Sequence, residues 1–193
     1  MLDSAKFLKL FGGKRLVFHP AAQGKATRED AVALTEERLK VLRDYIYLNG
    51  YEDLYFCPEV MGKLAQIGTL EEVVRLCKID PVFVPCVDFG HLNAREQGSL
   101  KTVDDYKSRL EYMISELGFD RVKNFHVHFS KIMYGGKGEI KHLTFADEVY
   151  GPEFGPLAVA LKQLKLEPYI VSESDGTQAE DARAMKAIYN SVG

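Results

Sequence analysis

Five short apolar runs constrain this chain more than any other feature. They are RLVFH (15–19), LYFCPE (54–59), VFVPCVD (82–88), NFHVHFS (124–130) and PYIVSES (168–174), and long amphipathic stretches separate them. The runs are too apolar for strands with one wet face. Alternating with helices, they predict a parallel sheet covered by helices. Helices are expected over 2–12, 28–48, 70–79, 103–117, 157–165 and 178–191. In 103–117, Tyr106, Leu110, Met113, Ile114 and Leu117 recur at three- and four-residue spacing and mark one buried stripe. Threonines open the helices: Thr27, Thr69, Thr102 and Thr177 each precede an acid by three residues. Thr69/Glu72 and Thr177/Glu180 are the better capping boxes, because the third position favours Glu. A closed (β/α)8 barrel takes about 250 residues. The expectation is therefore one domain over 1–193, either part of such a barrel or an open five-stranded doubly wound sheet.

The residues assigned to the ends of the five runs are His19, Glu59, Asp88, His126 and Glu173. Functional groups of parallel α/β folds gather at the carboxyl ends of strands. Any one of these residues could be an ordinary turn or surface residue. Five of five drawn from His, Asp and Glu is a pattern of metal ligands, since crowded carboxylates repel unless cations neutralise them. Side chains alternate along a strand, so Cys57 and Cys86 lie one layer deeper, as lining thiols. His91 follows Asp88 by three residues, and His142 lies beyond the fourth run. His128 shares the parity of His126 and is set down as a hydrogen-bonding neighbour more readily than as a ligand. Arg95 and Lys131 follow ligand-bearing strand ends. Of the two, Arg95 is the candidate phosphate grip, because a guanidinium binds phosphate in two places.

Composition excludes several classes. The formal net charge of −3 gives no broad footprint for nucleic acid or anionic membrane. Three cysteines without a C-x-x-C pair argue against a disulfide framework and suit a reducing, cytoplasmic setting. No run approaches the ~18 apolar residues of a membrane span.

These residues also carry a resemblance. FHP (18–20), PEVMGKLAQIGTLEEV (58–73), VPCVDFGHLNAREQG (84–98), FHVHFSK (125–131), GEIKHLTF (138–145) and SESDGTQAEDA (172–182) are similar to the endonuclease IV family, the family 2 apurinic/apyrimidinic endonucleases. These enzymes are xylose-isomerase-like TIM barrels. The resemblance implies a zinc-dependent hydrolase with two to three ions that cuts double-stranded DNA 5′ to abasic sites, with manganese or iron as other candidate metals. It implies that Glu59 bridges two metals, that Asp88, His126 and Glu173 complete the second site, that His19 serves the first, and that His91 and His142 serve the third. Glu59 and Glu173 are the expected catalytic carboxylates.

Two departures stand out. The family has an Asp two residues before the histidine of the 142 loop, where this chain has Ile140. A third site of two imidazoles is expected to bind weakly, with Glu139 having to reorient to help. The family also has three strands before FHP. The expectation is five-eighths of a barrel that self-associates through the open edge beside 15–19 or depends on upstream residues. The competing function is a divalent-metal sugar or sugar-phosphate isomerase or epimerase, because Glu59, Asp88, His126 and Glu173 suit that chemistry too.

Overall fold

The structure is a computed structural model describing residues 1–193. The chain opens with α1 (Leu2–Leu10), β1 (Arg15–Phe18), the two-residue β2 (Ala21–Ala22) and α2 (Arg28–Leu48). Then come β3 (Tyr55–Pro58), β4 (Gln66–Ile67), α3 (Leu70–Cys77), β5 (Cys86–Asp88) and α4 (Phe89–Arg95). After α5 (Val103–Leu117) and α6 (Phe119–Val122) follow β6 (His126–Phe129) and the hairpin β7 (Ile132–Gly135) and β8 (Gly138–His142). The chain closes with α7 (Phe154–Gln163), β9 (Tyr169–Ser172) and α8 (Gln178–Ser191). No helix is long and apolar enough to cross a membrane.

All five expected strands form, and they lie side by side in chain order. β1 pairs with β3 and β5–β6–β9 form a second parallel group. Parallel bridges Phe56–Phe83 and Glu59–Cys86 join the two groups. Sequential order is the order of a barrel wall. A doubly wound sheet would reverse direction at a switch point, so the fold is a partial, unclosed TIM barrel. The wall is strongly curved: the Arg15 guanidinium on β1 stacks 5.0 Å from the Tyr55 ring and 4.2 Å from the Tyr169 ring on β9. The arc has two open edges. β5 and β6 are wholly buried, whereas Tyr169 and Val171 on β9 are exposed.

Helices cover the outer face. On α5, Tyr106, Leu110, Met113 and Leu117 are buried and Ile114 is partly so, as the spacing predicts. Phe56, Phe83, Phe89, Phe125 and Phe129 are fully buried in the same core. Each such side chain contributes about 1.5–3 kcal/mol of burial. Complete capping boxes occur at Thr69/Glu72 and at Thr102/Asp105. Thr177 differs from expectation. Its hydroxyl donates to Asp181 Oδ2 at 2.8 Å and leaves α8 without a side-chain cap.

Six elements were not expected from the sequence: α4, the short α6, and the β2–β4 and β7–β8 pairs. The hairpin is seated on the 59–66 loop by a close backbone approach. Glu139 N–H donates to Gly62 O at 3.1 Å, and a Cβ added at Gly138 would lie 2.1 Å from that oxygen. Gly138 also has φ +90°, so glycine is required there twice over.

Candidate metal centre

Each strand delivers its functional side chain by a short step. His19 and Glu59 directly follow β1 and β3, Asp88 is the last residue of β5, and Glu173 directly follows β9. β6 is the exception. His126 begins that strand, and its register partner is Cys86. The structure therefore brings His128 level with Asp88, while ligand atoms of Cys86, His126 and His128 form a further group within 4.8 Å of one another. Both histidines face the interior because they are two residues apart, and the stagger between strands decides which one reaches the rim.

The rim residues converge. Ligand atoms of Glu59, Asp88, His128 and Glu173 all lie within 4.8 Å of one another. His128 Nδ1 is 2.8 Å from Glu59 Oε1 and 3.1 Å from Glu173 Oε1. Both neighbours are carboxylates, so Nδ1 carries a proton between them. Burial opposes a charge on His128, but the hydrogen bond and charge of Glu59, helped by Glu173 and Asp88, hold its pKa above the ordinary histidine value. Glu173 is pushed up by burial, and by Asp88 and Glu59 beyond it, against the pull of His128. The other oxygen of Glu59, Oε2, is 3.3 Å from Nε2 of the exposed His19. The two oxygens of this buried carboxylate thus face different imidazoles.

Asp88 has a double role. It is the N-cap of α4, its Oδ1 accepting the His91 N–H at 2.8 Å. Its Oδ2 is buried and makes no hydrogen bond, the nearest nitrogen being His91 Nδ1 at 3.3 Å. A buried carboxylate oxygen left open in this way costs free energy unless a cation fills its coordination. That opening and the mixed imidazole and carboxylate donors fit zinc, manganese or iron.

A second cluster adjoins the first. Ligand atoms of Asp88, His91 and His142 also lie within 4.8 Å of one another. The two rings are 5.2 Å apart. Burial works against a charge on His91, yet Asp88, Glu59 and Glu139 raise its pKa above the usual value. His142 Nδ1 is 2.8 Å from Ser130 Oγ. A cavity of about 340 Å³ lined by His142, Ser172, Glu173 and Gln178 reaches this edge of the centre. A larger one, about 470 Å³, lies between β1 and α2 and meets the site only at His19.

Beneath the rim, His126 sits with Cys86. Burial first, then His128 and Arg15, lower the His126 pKa to about 4. Its Nδ1 is buried without a partner. Burial pushes the Cys57 thiol up to about 12 and raises Cys86 well above its ordinary value, so both remain inert thiols.

Arg95, the expected phosphate grip, is engaged within the protein. Its Nη1 donates to Met61 O and Lys63 O, both at 2.9 Å, and its Nη2 donates to Leu64 O and Gln66 O at 3.3 and 3.2 Å. Four carbonyls of one loop occupy the fork, so Arg95 braces the loop behind Glu59. Lys131 is likewise engaged, with Glu153 Oε1 and Asp147 O each at 2.7 Å. His128 and Glu139 stand nearer the centre than their places in the sequence suggest. The missing signal was position across strands, which a single strand does not display.

The family model described as the xylose isomerase-like TIM barrel matches residues 1–188. An uncharacterized protein of Methanocaldococcus jannaschii is 28% identical over 180 residues, 93% of this chain and 64% of that protein. The chain thus spans under two thirds of that relative's length. Among solved structures, the zinc-bound IOLI protein superposes with TM-score 0.64 at 16% identity, over 96% of this chain and 63% of that one. A D-tagatose 3-epimerase-like protein gives 0.64 at 17% identity, with coverage of 97% and 65%. Endonuclease IV from Thermus thermophilus gives 0.62 at 18%, with coverage of 97% and 66%. At these identities the structures speak for the fold alone. By the family match across nearly its whole length, the chain belongs to the xylose isomerase-like TIM barrel family.

Proposed function

We propose that this chain carries the metal centre of a divalent-metal phosphodiester hydrolase of the endonuclease IV type, acting on DNA at abasic sites. The observation that supports this most is the sharing of Asp88 between two adjoining ligand clusters, one with Glu59, His128 and Glu173, the other with His91 and His142. One cation would need only the first cluster; two side by side suit a phosphodiester, whose attacking and leaving oxygens both need charge stabilisation. Divalent cations bound there supply Lewis-acid polarisation of the phosphoryl oxygens and lower the pKa of water.

The chain's own residues position and neutralise. Glu59 turns one oxygen toward His128 and the other toward His19, so it reaches two sides of the centre. Asp88 is fixed by capping α4 and offers its remaining oxygen inward. Glu173 and His128 exchange a proton for a cation when metal binds. The sequence motifs shared with the endonuclease IV family support the substrate class. A second reading, sugar epimerisation at one cation, is favoured by the Glu59–Asp88–His128–Glu173 set taken alone.

The test is cleavage of an end-labelled duplex carrying one abasic site by the zinc- or manganese-loaded protein, beside a ketose epimerisation assay. We expect cutting 5′ to the lesion that Glu59→Gln abolishes. Epimerase activity with no cleavage would replace this reading with the second.

A further inference from the structure

We propose that Glu139 is a ligand of the cation held by His91 and His142, brought there by a β-bulge at Ile140. This rests on the metal-centre reading above, and it assigns a carboxylate that the shared motifs do not supply.

The hairpin register carries the argument. Ile132 pairs with His142, Met133 with Lys141, and Tyr134 with Glu139, so Ile140 faces no residue on β7. In a regular strand Ile140 would share the face of His142 and Glu139 would point the opposite way. One extra residue resets the alternation. Ile140 accordingly turns to solvent at 58% exposure. Glu139 is brought inward, its side chain only 12% exposed and its Oε2 3.4 Å from His91 Nε2. A side-chain rotation that carries Oε2 from His91 toward His142 would complete the set.

The surroundings leave room for that carboxylate. A Cβ added at Gly62 would lie 2.6 Å from Glu139 Cβ, 2.9 Å from its Oε2 and 3.0 Å from His91 Cδ2. Glycine at 62 therefore opens the space that Glu139 and His91 share. The imidazole is oriented to match. His91 Nδ1 lies 3.0 Å from Val60 O, an oxygen that can only accept, so Nδ1 carries a hydrogen and Nε2, which faces Glu139, is the nitrogen that would give up its proton to a cation. With Glu139 turned onto the ion, the His91, His142 and Asp88 group would gain a second carboxylate, a donor set suited to zinc.

Chelator-stripped protein titrated with Zn²⁺, followed by calorimetry and by metal analysis after desalting, tests the assignment. Co²⁺ absorption gives an independent reading of coordination. Wild type is expected to hold at least two ions. Glu139→Gln should lose one of them, with its affinity reduced at least about tenfold, and should alter the cobalt spectrum while the remaining ion is kept. Gly62→Ala, which fills the carboxylate's space, should do the same, and the exposed Ile140→Ala should not. Circular dichroism establishes that the variants are folded. Unchanged stoichiometry and affinity in folded Glu139→Gln would overturn the role of Glu139 while leaving the metal centre standing. Wild type that binds no ion would overturn both.

Discussion

His128 Nδ1 lies 2.8 Å from Glu59 Oε1, across the interior from a strand two places away in the wall. This pair ties β3 to β6 and sets the rim of the centre at His128. His126, two residues earlier, is level with Cys86. His128→Ala should therefore weaken Zn²⁺ binding at the Glu59–Glu173 cluster by roughly 10- to 100-fold or more. His126→Ala should leave it unchanged, at some cost in stability from lost packing. Competition with a chromophoric chelator reads both affinities. The opposite ranking would place the rim one layer lower.

Arg95 braces the 61–66 loop through four carbonyls. Burial and the nearby Arg28 lower its pKa, which marks how closely the site packs it. Arg95→Ala should cost on the order of 1–3 kcal/mol, because Met61 O is left open while Leu64 O and Gln66 O keep Arg28 and Lys63 O keeps the Gln66 N–H. Urea unfolding measures that loss. Inorganic phosphate should bind the metal-loaded, folded variant as it binds wild type. Full stability with weakened phosphate binding would return Arg95 to the role its position in the sequence suggested.

Glu72 ties the same loop down from the other side. Its Oε2 accepts from Gly68 N–H and Thr69 N–H at 2.7 and 2.9 Å, and Arg28 reaches both its oxygens. Burial alone would raise its pKa, but Arg28 and the two amides together lower it. A carboxylate with a depressed folded pKa adds stability that is fully present above its unfolded pKa, about 4.3. That stability is lost as pH falls through the lower folded value. Thermal unfolding in chelator should show wild type above Glu72→Gln at pH 6–7, with the gap closing below about pH 4. Parallel curves from pH 7 to pH 3 would remove Glu72 from this role.

The sequence displayed what is local and repeated. Five apolar runs separated by helices, and the stripe on α5, are periodic signals that packing preserves. Glu59, Asp88 and Glu173 were legible because a polar residue closing an apolar run has few places to go but the rim. Other features depended on partners far along the chain. His126 and His128 have the same parity, and only the stagger against β5 separates them. α4 escaped notice because Phe89 through Ala94 are all buried, so it has no polar face to give a helical period. Glu139 was hidden by the bulge, which breaks the alternation on which strand reading depends. Arg95 looked free because the carbonyls it binds lie about thirty residues upstream.

Glu59, Asp88, His128 and Glu173 together form the cation site we propose. Calorimetric titration of chelator-stripped protein with Zn²⁺, wild type against Asp88→Asn, tests it most directly. The amide oxygen of Asn still caps α4, so the variant removes the charge and keeps the helix start. Wild type is expected to show saturable, stoichiometric binding with proton release, and Asp88→Asn to lose it while its melting curve stays near that of metal-free wild type. Wild type without stoichiometric uptake of zinc or manganese, or an Asp88→Asn variant that binds as well as wild type, would show that these four residues do not hold a cation.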